Sequence, residues 1–485
     1  MNKRNIFVLG IIIWFFLLSI CISNAIQRGW TQKRVDDILT VNSGLNTLET
    51  SDWDWTNTVV ISVGSTDDAY YPKIAADPEG NIHVVWYDLT DYGTDGSDID
   101  IFYRRWNADT AQWGSIELVS NVSTGDSANP AIAVDEEGNV HIVWDDETNY
   151  NGSGSDADIF YRCLNGTTGV WNEVEVVSTE STANSCFSAI AVDEIGNIHV
   201  TWEDYTNYGG AGSYPPHIFY KYYNITSKVW NTTVLVNAES KRDAYYPTIA
   251  VDLGRNVHIA WEDCSNYLNT GNDGEIFYKC WNASTAHWTA TEIITDESLY
   301  SIRPQLVADG VGKLHLVWNQ HTGSTYEIMY ANLDLNSGNW SENEYISDLD
   351  LKSSETPAIG ADSSGNAYAT WADAYSLGSS DYNIVYKFRN ATSTIWSATT
   401  IISTESDGTS SNPSITVDIS GHIHIVWDDR TNYQGSGTDR DIFYKKFAES
   451  SESGIPGFNL APLLFATMGL LVLHLFFKKR LTKIL

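Results

Sequence analysis

The chain has 485 residues and carries 62 acidic against 28 basic side chains, a formal net charge of −34. This excess of acids argues against a nucleic-acid partner, because phosphate recognition needs clustered Lys and Arg. With 42% hydrophobic and 13% aromatic residues, the chain is too rich in core-forming side chains to be read as disordered.

Residues 1–25 have the layout of a secretory signal peptide. Lys3 and Arg4 precede an apolar run over residues 6–22, and small side chains follow up to a cleavage point after Ala25. The alternative is an uncleaved amino-terminal anchor, because the apolar run nearly spans a bilayer. Residues 26–52 are predicted to be a linker.

Residues 53–447 contain an internal repeat, typified by the run AIAVDEEGNVHIVW at residues 131–144. Its last residue recurs at intervals of 53 to 59 residues, as Trp86, Trp144, Trp202, Trp261, Trp318, Trp371 and Trp427. Each copy supplies four short β-rich runs separated by turns with Gly and Asn, which indicates antiparallel hairpins. A His also recurs at one repeat position in most copies, for example as His83 and His141. Because it recurs, we interpret it as part of the structural framework and not as a catalytic or metal-binding residue.

A strand count predicts that the repeats close into a ring. The first three strands occur seven times, but the seventh copy lacks a fourth strand, whereas a surplus fourth strand stands at residues 55–62. We therefore predict an all-β fold, a seven-bladed β-propeller of four-stranded antiparallel blades in which the amino-terminal strand completes the last blade. Such closure removes an exposed sheet edge and favours a monomer.

The loops between the second and third strands are long, acidic and rich in Gly in blades one, two and seven, which become neighbours when the ring closes. Clustered Asp oxygens suit calcium, which accepts six to eight oxygen ligands in flexible geometry. The alternative is a set of solvated loops in which Asp side chains cap turns. The candidate calcium ligands are Asp95, Asp98, Asp100, Asp145, Asp156, Asp158, Asp428, Asp439 and Asp441.

Two groups of residues are candidates for binding a ligand. Tyr92, Tyr150 and Tyr433 recur in the acidic loops and could present their rings, although recurrence fits loop architecture equally well. In blade five the loop is shorter, with 12 steps from Trp318 to Tyr330 against 17 from Trp86 to Tyr103 in blade one. This deletion is expected to open a notch beside Arg303, His321 and Tyr326.

The carboxy-terminal part is predicted to tether the protein to a membrane. Residues 448–458 form a linker, residues 459–478 a transmembrane helix, and residues 479–485 a basic tail that should stay in the cytoplasm. The propeller would then lie outside the cell. Eight Asn-x-Ser/Thr sequons agree with this location, at Asn121, Asn151, Asn165, Asn224, Asn231, Asn282, Asn339 and Asn390.

Two resemblances refine these expectations. Pro456, Gly457 and Phe458 before an apolar helix resemble the PGF-type carboxy-terminal sorting signal of archaeal surface proteins, which implies that a sortase-like membrane enzyme replaces the helix with a lipid. The alternative is a permanent anchor.

The Trp-ended repeats resemble BNR-type, sialidase-like propellers of secreted proteins, which implies an action on carbohydrate. Sialidases use an Arg triad, and here only Arg303 stands near a first strand. We therefore predict a non-enzymatic surface module that binds glycan or protein ligands. The alternative is a sialidase-like hydrolase or lyase, which would need paired carboxylates across a sugar cleft.

Overall fold

The computed structural model describes residues 53–91, 98–207, 216–268, 270–271, 273–295, 299–348, 352–374 and 381–449. Within these ranges 33 strands form seven antiparallel sheets. No helix in the described ranges is long and apolar enough to cross a bilayer. The predicted signal peptide, sorting signal, transmembrane helix and basic tail lie outside them.

Each sheet is one blade, and its first three strands follow one another in order. The first strands are Ala69–Ala76, Ser127–Val134, Ser185–Val192, Ala244–Val251, Ser301–Ala308, Ser354–Ala361 and Ser410–Val417. The second strands are Ile82–Asp88, Val140–Asp146, Ile198–Asp204, Val257–Asp263, Lys313–His321, Ala367–Asp373 and Ile423–Asp429. The third strands are Asp100–Asn107, Asp158–Leu164, His217–Asn224, Glu275–Asn282, Tyr326–Asp334, Asn383–Arg389 and Asp441–Glu449.

The fourth, outermost strand of a blade is short and in most blades broken into two pieces. In the broken blades three residues separate the fourth-strand Trp from the pair that rejoins the sheet, so the chain leaves the ladder and returns. An interrupted edge of this kind is a poor template for another strand. In the order of blades one to seven the pieces are Gln112–Trp113 with Glu117–Leu118, Glu175–Val176, Val229–Trp230 with Val234–Leu235, His287–Trp288 with Glu292–Ile293, Asn339–Trp340 with Glu344–Tyr345, Thr400–Ile401, and Trp53–Trp55 with Val59–Val60.

The predicted seven-bladed ring and its closure are confirmed. Val60 pairs with Phe443 in the last third strand, and the Ile61 N–H donates to Ile442 O at 2.7 Å. The Trp55 ring also lies edge-on against Tyr386 of blade six, with centroids 5.4 Å apart. Each fourth-strand Trp makes the same contact with a Tyr of the preceding blade, so the borrowed strand occupies an ordinary blade position. Residues 55–448 form one compact unit.

The recurring Trp and His residues are framework. The seven second-strand Trp side chains are among the largest fully buried groups of the protein. In blade two the Trp144 indole N–H donates to Asp146 Oδ2 at 2.8 Å. His141 of the same strand contacts the Tyr161 hydroxyl at 2.9 Å and Asp135 Oδ2 at 3.2 Å. These polar groups are buried but paired, so their recurrence needs no ligand to explain it.

Candidate functional site

The first strands line a cavity of about 420 Å³ on the ring axis, to which all seven blades contribute. Near the start of every first strand the pairing register shifts at a β-bulge, and the third residue of the strand has a positive φ of 47° to 54°. We call these seven positions the bulge ring: Tyr71, Asn129, Phe187, Tyr246, Arg303, Thr356 and Asn412. Positive φ is costly for residues other than Gly, and such strain and such bulges concentrate at functional sites.

The bulge ring differs from the framework because its backbone is repeated and its side chains are not. In most blades a Pro follows the bulge residue, yet the residue itself changes from Tyr to Phe, Arg, Thr or Asn. Packing alone would favour one side-chain type at seven equivalent positions. All seven side chains are only partly buried. They are therefore available to a molecule at the mouth of the axial cavity.

Three neighbouring members of the bulge ring form a continuous series of ring contacts. The rings of Phe187 and Tyr246 have centroids 4.9 Å apart, and the Arg303 guanidinium lies 5.4 Å from the centre of the Tyr246 ring. An arginine over an aromatic face keeps its hydrogen-bond donors in a fixed plane. These contacts extend from blade three to blade five.

A second circle of side chains lies behind the bulge ring, at the residue after each second-strand Trp. Four of these residues are acids: Asp145, Glu203, Glu262 and Asp428. The Tyr246 N–H donates to Glu203 Oε2 at 3.1 Å, and the Tyr71 N–H donates to Asp428 Oδ2 at 3.4 Å. In both cases the carboxylate of one blade holds the bulge of the next blade. The two circles are therefore coupled.

The acids of blades two to four have unusual proton affinities. Burial raises the pKa of Asp145 to about 7, of Glu203 to about 8 and of Glu262 to about 7. The backbone and guanidinium of Arg303 oppose this effect at Glu262. Burial also raises the pKa of Asp428, and Arg440, which pairs with it, opposes that rise. Carboxyls that titrate near neutral pH can accept or donate a proton, which is the requirement for general acid–base chemistry.

Of the three residues of the predicted notch, His321 and Tyr326 are in contact, and Arg303 lies near enough for its charge to act on Tyr326. In blade five the second and third strands form a tight hairpin in which His321 pairs with Tyr326, and their rings lie 5.0 Å apart. The charges of Glu262 and Arg303 both act on the Tyr326 phenol, whose pKa is raised chiefly by burial. The deletion therefore leaves Tyr326 beside the bulge ring.

The other predicted ligand-binding residues have packing partners. The Tyr150 ring lies 6.0 Å from Phe160, and the Tyr433 ring lies 6.1 Å from Phe443. Tyr267 of blade four makes the same contact with Phe277 at 6.0 Å. Tyr92 lies outside the described residues.

The predicted calcium ligands fall into two separate groups. Asp145 and Asp428 belong to the axial mouth, where Asn129 Nδ2 donates to Asp145 Oδ2 at 3.1 Å. The second group lies where the third strands begin and consists of Asp98, Asp100, Asp156, Asp158, Asp439 and Asp441. Asp95 lies outside the described residues. The predicted acidic cluster is thus divided. Two of its aspartates lie at the axial mouth, and the others form one pair in each of blades one, two and seven.

Sequence reasoning missed most of the axial mouth, including Tyr71, Phe187, Tyr246, Glu203 and Glu262. A usable signal was present, because a variable residue precedes Pro at one register in most repeats. The residue after the repeated Trp is a second position that varies between repeats.

Comparisons with known proteins agree with the fold. An ulvan lyase, a polysaccharide lyase solved with a GlcA–Rha3S saccharide, aligns with a TM-score of 0.54 and 11% identity over 79% of this chain and 95% of its own. A fungal alcohol oxidase in complex with copper aligns with a TM-score of 0.51 and 12% identity over 82% of this chain and 76% of its own. The NanB sialidase of Streptococcus pneumoniae aligns with a TM-score of 0.43 and 14% identity over 80% and 70%. Identities this low show the propeller fold alone. No protein-family model matches the chain, and no curated protein does.

Proposed function

We propose that this protein is a cell-surface propeller that binds a saccharide at the mouth of its axial cavity. The observation that carries the proposal is the bulge ring, in which one strained backbone geometry presents different side chains from seven blades. Ligand pockets typically combine apolar walls with a few fixed polar groups. Phe187 and Tyr246 supply flat apolar faces for sugar rings, while Asn129, Arg303 and Asn412 supply donors for hydroxyl or acidic groups.

The proposed location outside the cell rests on the predicted signal peptide and membrane tether. The sequons are compatible with it, because Asn121, Asn151, Asn165, Asn339 and Asn390 are exposed. Asn224, Asn231 and Asn282 are half-buried. We further propose that one chain forms one complete propeller, since ring closure leaves no blade to be supplied by a second copy.

A second candidate function is cleavage of the bound saccharide. Glu203 and Glu262 favour it, because their pKa values of about 8 and about 7 place a proton donor and a proton acceptor in neighbouring blades at neutral pH, and the Arg303 charge acts on Glu262. A hydrolase or lyase needs such a proton-transfer pair and a cation opposite developing negative charge. Binding remains the main proposal because it requires only the bulge ring.

A glycan array with the purified full-length protein tests the proposal. Arg303→Ala should weaken binding about tenfold or more, because a charge-assisted hydrogen bond and the stacking of the guanidinium are lost together. Arg255→Ala is the matched control, because Arg255 lies in a turn at the opposite ends of the strands with 45% of its side chain exposed. Equal binding by the wild type and both variants would refute the axial site.

The same samples separate binding from cleavage. Chromatography of each bound glycan after incubation should return it unchanged if the protein only binds. Shortened or unsaturated products that disappear in Glu203→Gln and Glu262→Gln would establish the enzymatic alternative instead.

A further inference from the structure

The loops that lead into the third strands of blades two and seven are close copies of each other. Residues 148–158 read TNYNGSGSDAD, and residues 431–441 read TNYQGSGTDRD. Both fold alike: the Tyr150 N–H donates to Ser153 Oγ at 3.2 Å, and the Tyr433 N–H donates to Ser436 Oγ at 3.3 Å. A shared sequence and shared loop geometry indicate a shared task.

Each loop ends in two aspartates that bury oxygen atoms without partners. Asp158 and Asp441 are each 1% exposed, and Oδ2 of each has no hydrogen-bond partner among the described residues. Oδ2 of Asp156 and of Asp439 is likewise buried and without one. A buried carboxylate oxygen without a partner costs free energy, so four in two equivalent places need an explanation.

The carboxylates at these places lie close to other acidic groups. Burial raises the pKa of Asp158 to about 6, and the charges of Asp156 and of Asp204 from the next blade add to the effect. Burial and the charges of Asp439 and of Asp88 from the next blade raise the pKa of Asp441, also to about 6. Like charges held together in a protein interior are normally compensated by a cation.

Asp204, a buried carboxylate of the neighbouring blade, is fully hydrogen-bonded and provides a contrast, whereas Asp145 Oδ1 and Glu262 Oε2 at the axial mouth are also buried without a partner among the described residues. Asp204 accepts from Ser181, Ser185 and the Trp202 indole, as well as from the backbone of Thr206. A carboxylate that belongs to the framework thus has hydrogen-bond donors for both of its oxygens. At the ends of these two loops the fold satisfies one oxygen, as where Ser178 Oγ donates to Asp158 Oδ1 at 2.7 Å, and leaves the other oxygen buried without a partner among the described residues.

A glycine in each loop keeps the carboxylate pair in place. Gly154 has a φ of 122°, and a Cβ at this position would lie 2.5 Å from Asp156 Oδ1. Gly437 has a φ of 124° and stands in the same relation to Asp439. Only a residue without a side chain lets the backbone approach the carboxylate this closely.

We propose that blades two and seven each bind one divalent cation, calcium by preference, between the paired aspartates at the end of this loop. The ligands would be Asp156 and Asp158 in blade two, and Asp439 and Asp441 in blade seven. Calcium suits a site of hard carboxylate oxygens completed by water in flexible geometry, whereas magnesium demands a near-ideal octahedron. The cation would join a long loop to its blade and fix the rim of the axial mouth.

Other blades supply natural contrasts. In blade three Pro215 and His217 stand at the two aspartate positions, so both charges are absent. In blade five Glu327 occupies that position, its Oε2 accepts from Ser347 Oγ at 2.7 Å, and Thr325 replaces the first aspartate. Glu327→Gln is therefore a matched control, because it removes a buried acid at the same register outside the proposed sites.

The test is calorimetric titration of the purified full-length protein with CaCl₂ after treatment with a chelator. Asp158→Asn and Asp441→Asn should each lower the number of bound calcium ions by one, and the double variant by two. Glu327→Gln should lower it by none. MgCl₂ should bind at least tenfold more weakly.

Thermal unfolding with calcium and with chelator gives a second measurement that does not require heats of binding. Calcium should raise the unfolding midpoint of the wild type and of Glu327→Gln, and should raise that of the double variant less. Asn is nearly isosteric with Asp, and circular dichroism checks that each variant folds. An unchanged calcium stoichiometry in the double variant, or a calcium response equal to that of the wild type, would overturn the proposal.

Discussion

Replacing Ile61 with Ala tests whether the borrowed amino-terminal strand holds the ring closed. Ile61 is fully buried between blade seven and blade one, and its N–H donates to Ile442 O at 2.7 Å. Truncating a buried Ile to Ala usually costs about 2–5 kcal/mol, because apolar contacts are lost and a cavity remains. We expect the free energy of unfolding to fall by an amount in this range. The contact should count in full even though it joins residues from the two ends of the domain.

Two further variants calibrate the measurement. Ile402 occupies the same position in blade six, is 1% exposed, and donates from its N–H to Ile384 O at 2.7 Å. Ile402→Ala should therefore cost about as much as Ile61→Ala. Val63 is 59% exposed, and Val63→Ala should change stability by less than about 0.5 kcal/mol.

Urea unfolding followed by tryptophan fluorescence gives the three free energies of unfolding. Ile61→Ala should lower the free energy of unfolding by about as much as Ile402→Ala. If Ile61→Ala is as mild as Val63→Ala, the amino-terminal strand does not complete the seventh blade, and the closed ring is refuted.

Two further predictions concern buried polar groups. The pKa of Glu203 is raised from 4.5 to about 8, so the stability that its protonated form provides is complete below pH 4.5 and is lost as the pH rises through about 8. Glu203→Gln should flatten this part of the curve of unfolding free energy against pH, and an unchanged curve would show that the carboxyl ionises freely. Trp261→Phe should cost about 1–3 kcal/mol, because the indole N–H that Asp263 Oδ2 accepts at 3.0 Å is lost while the carboxylate stays buried. Urea titration measures this loss, and a value near zero would mean that the remaining donors satisfy Asp263.

The framework could be predicted from the sequence because its residues recur. A Trp that returns seven times at nearly constant spacing identifies the blades, and the strand left over at residues 55–62 identifies the closure. The structure adds detail at the outer edge, where the fourth strand is short and in blade two consists of Glu175–Val176. The polar residues after Trp171 face solvent there, so their backbone loses little by leaving the ladder.

The candidate site was harder to predict because its residues do not recur. Arg303 and Tyr326 were found through a deletion, which is a departure visible in the sequence. Tyr246 and Glu203 lie in no deletion, and the sequence marks them only by variability at a fixed repeat position. They meet because the bulge of one blade lies beside the second strand of the preceding blade.

The sequence by itself determined the number of blades, the order of the strands and the way the ring closes, since each follows from local periodicity and a count. The tertiary structure alone decided which side chains face the axis and which carboxylates share a buried space. Those relations depend on the register shift at each bulge and on contacts between blades more than 40 residues apart. A one-residue change of register turns a side chain to the other face of a strand, and the pattern of residues along the chain does not record where that shift occurs.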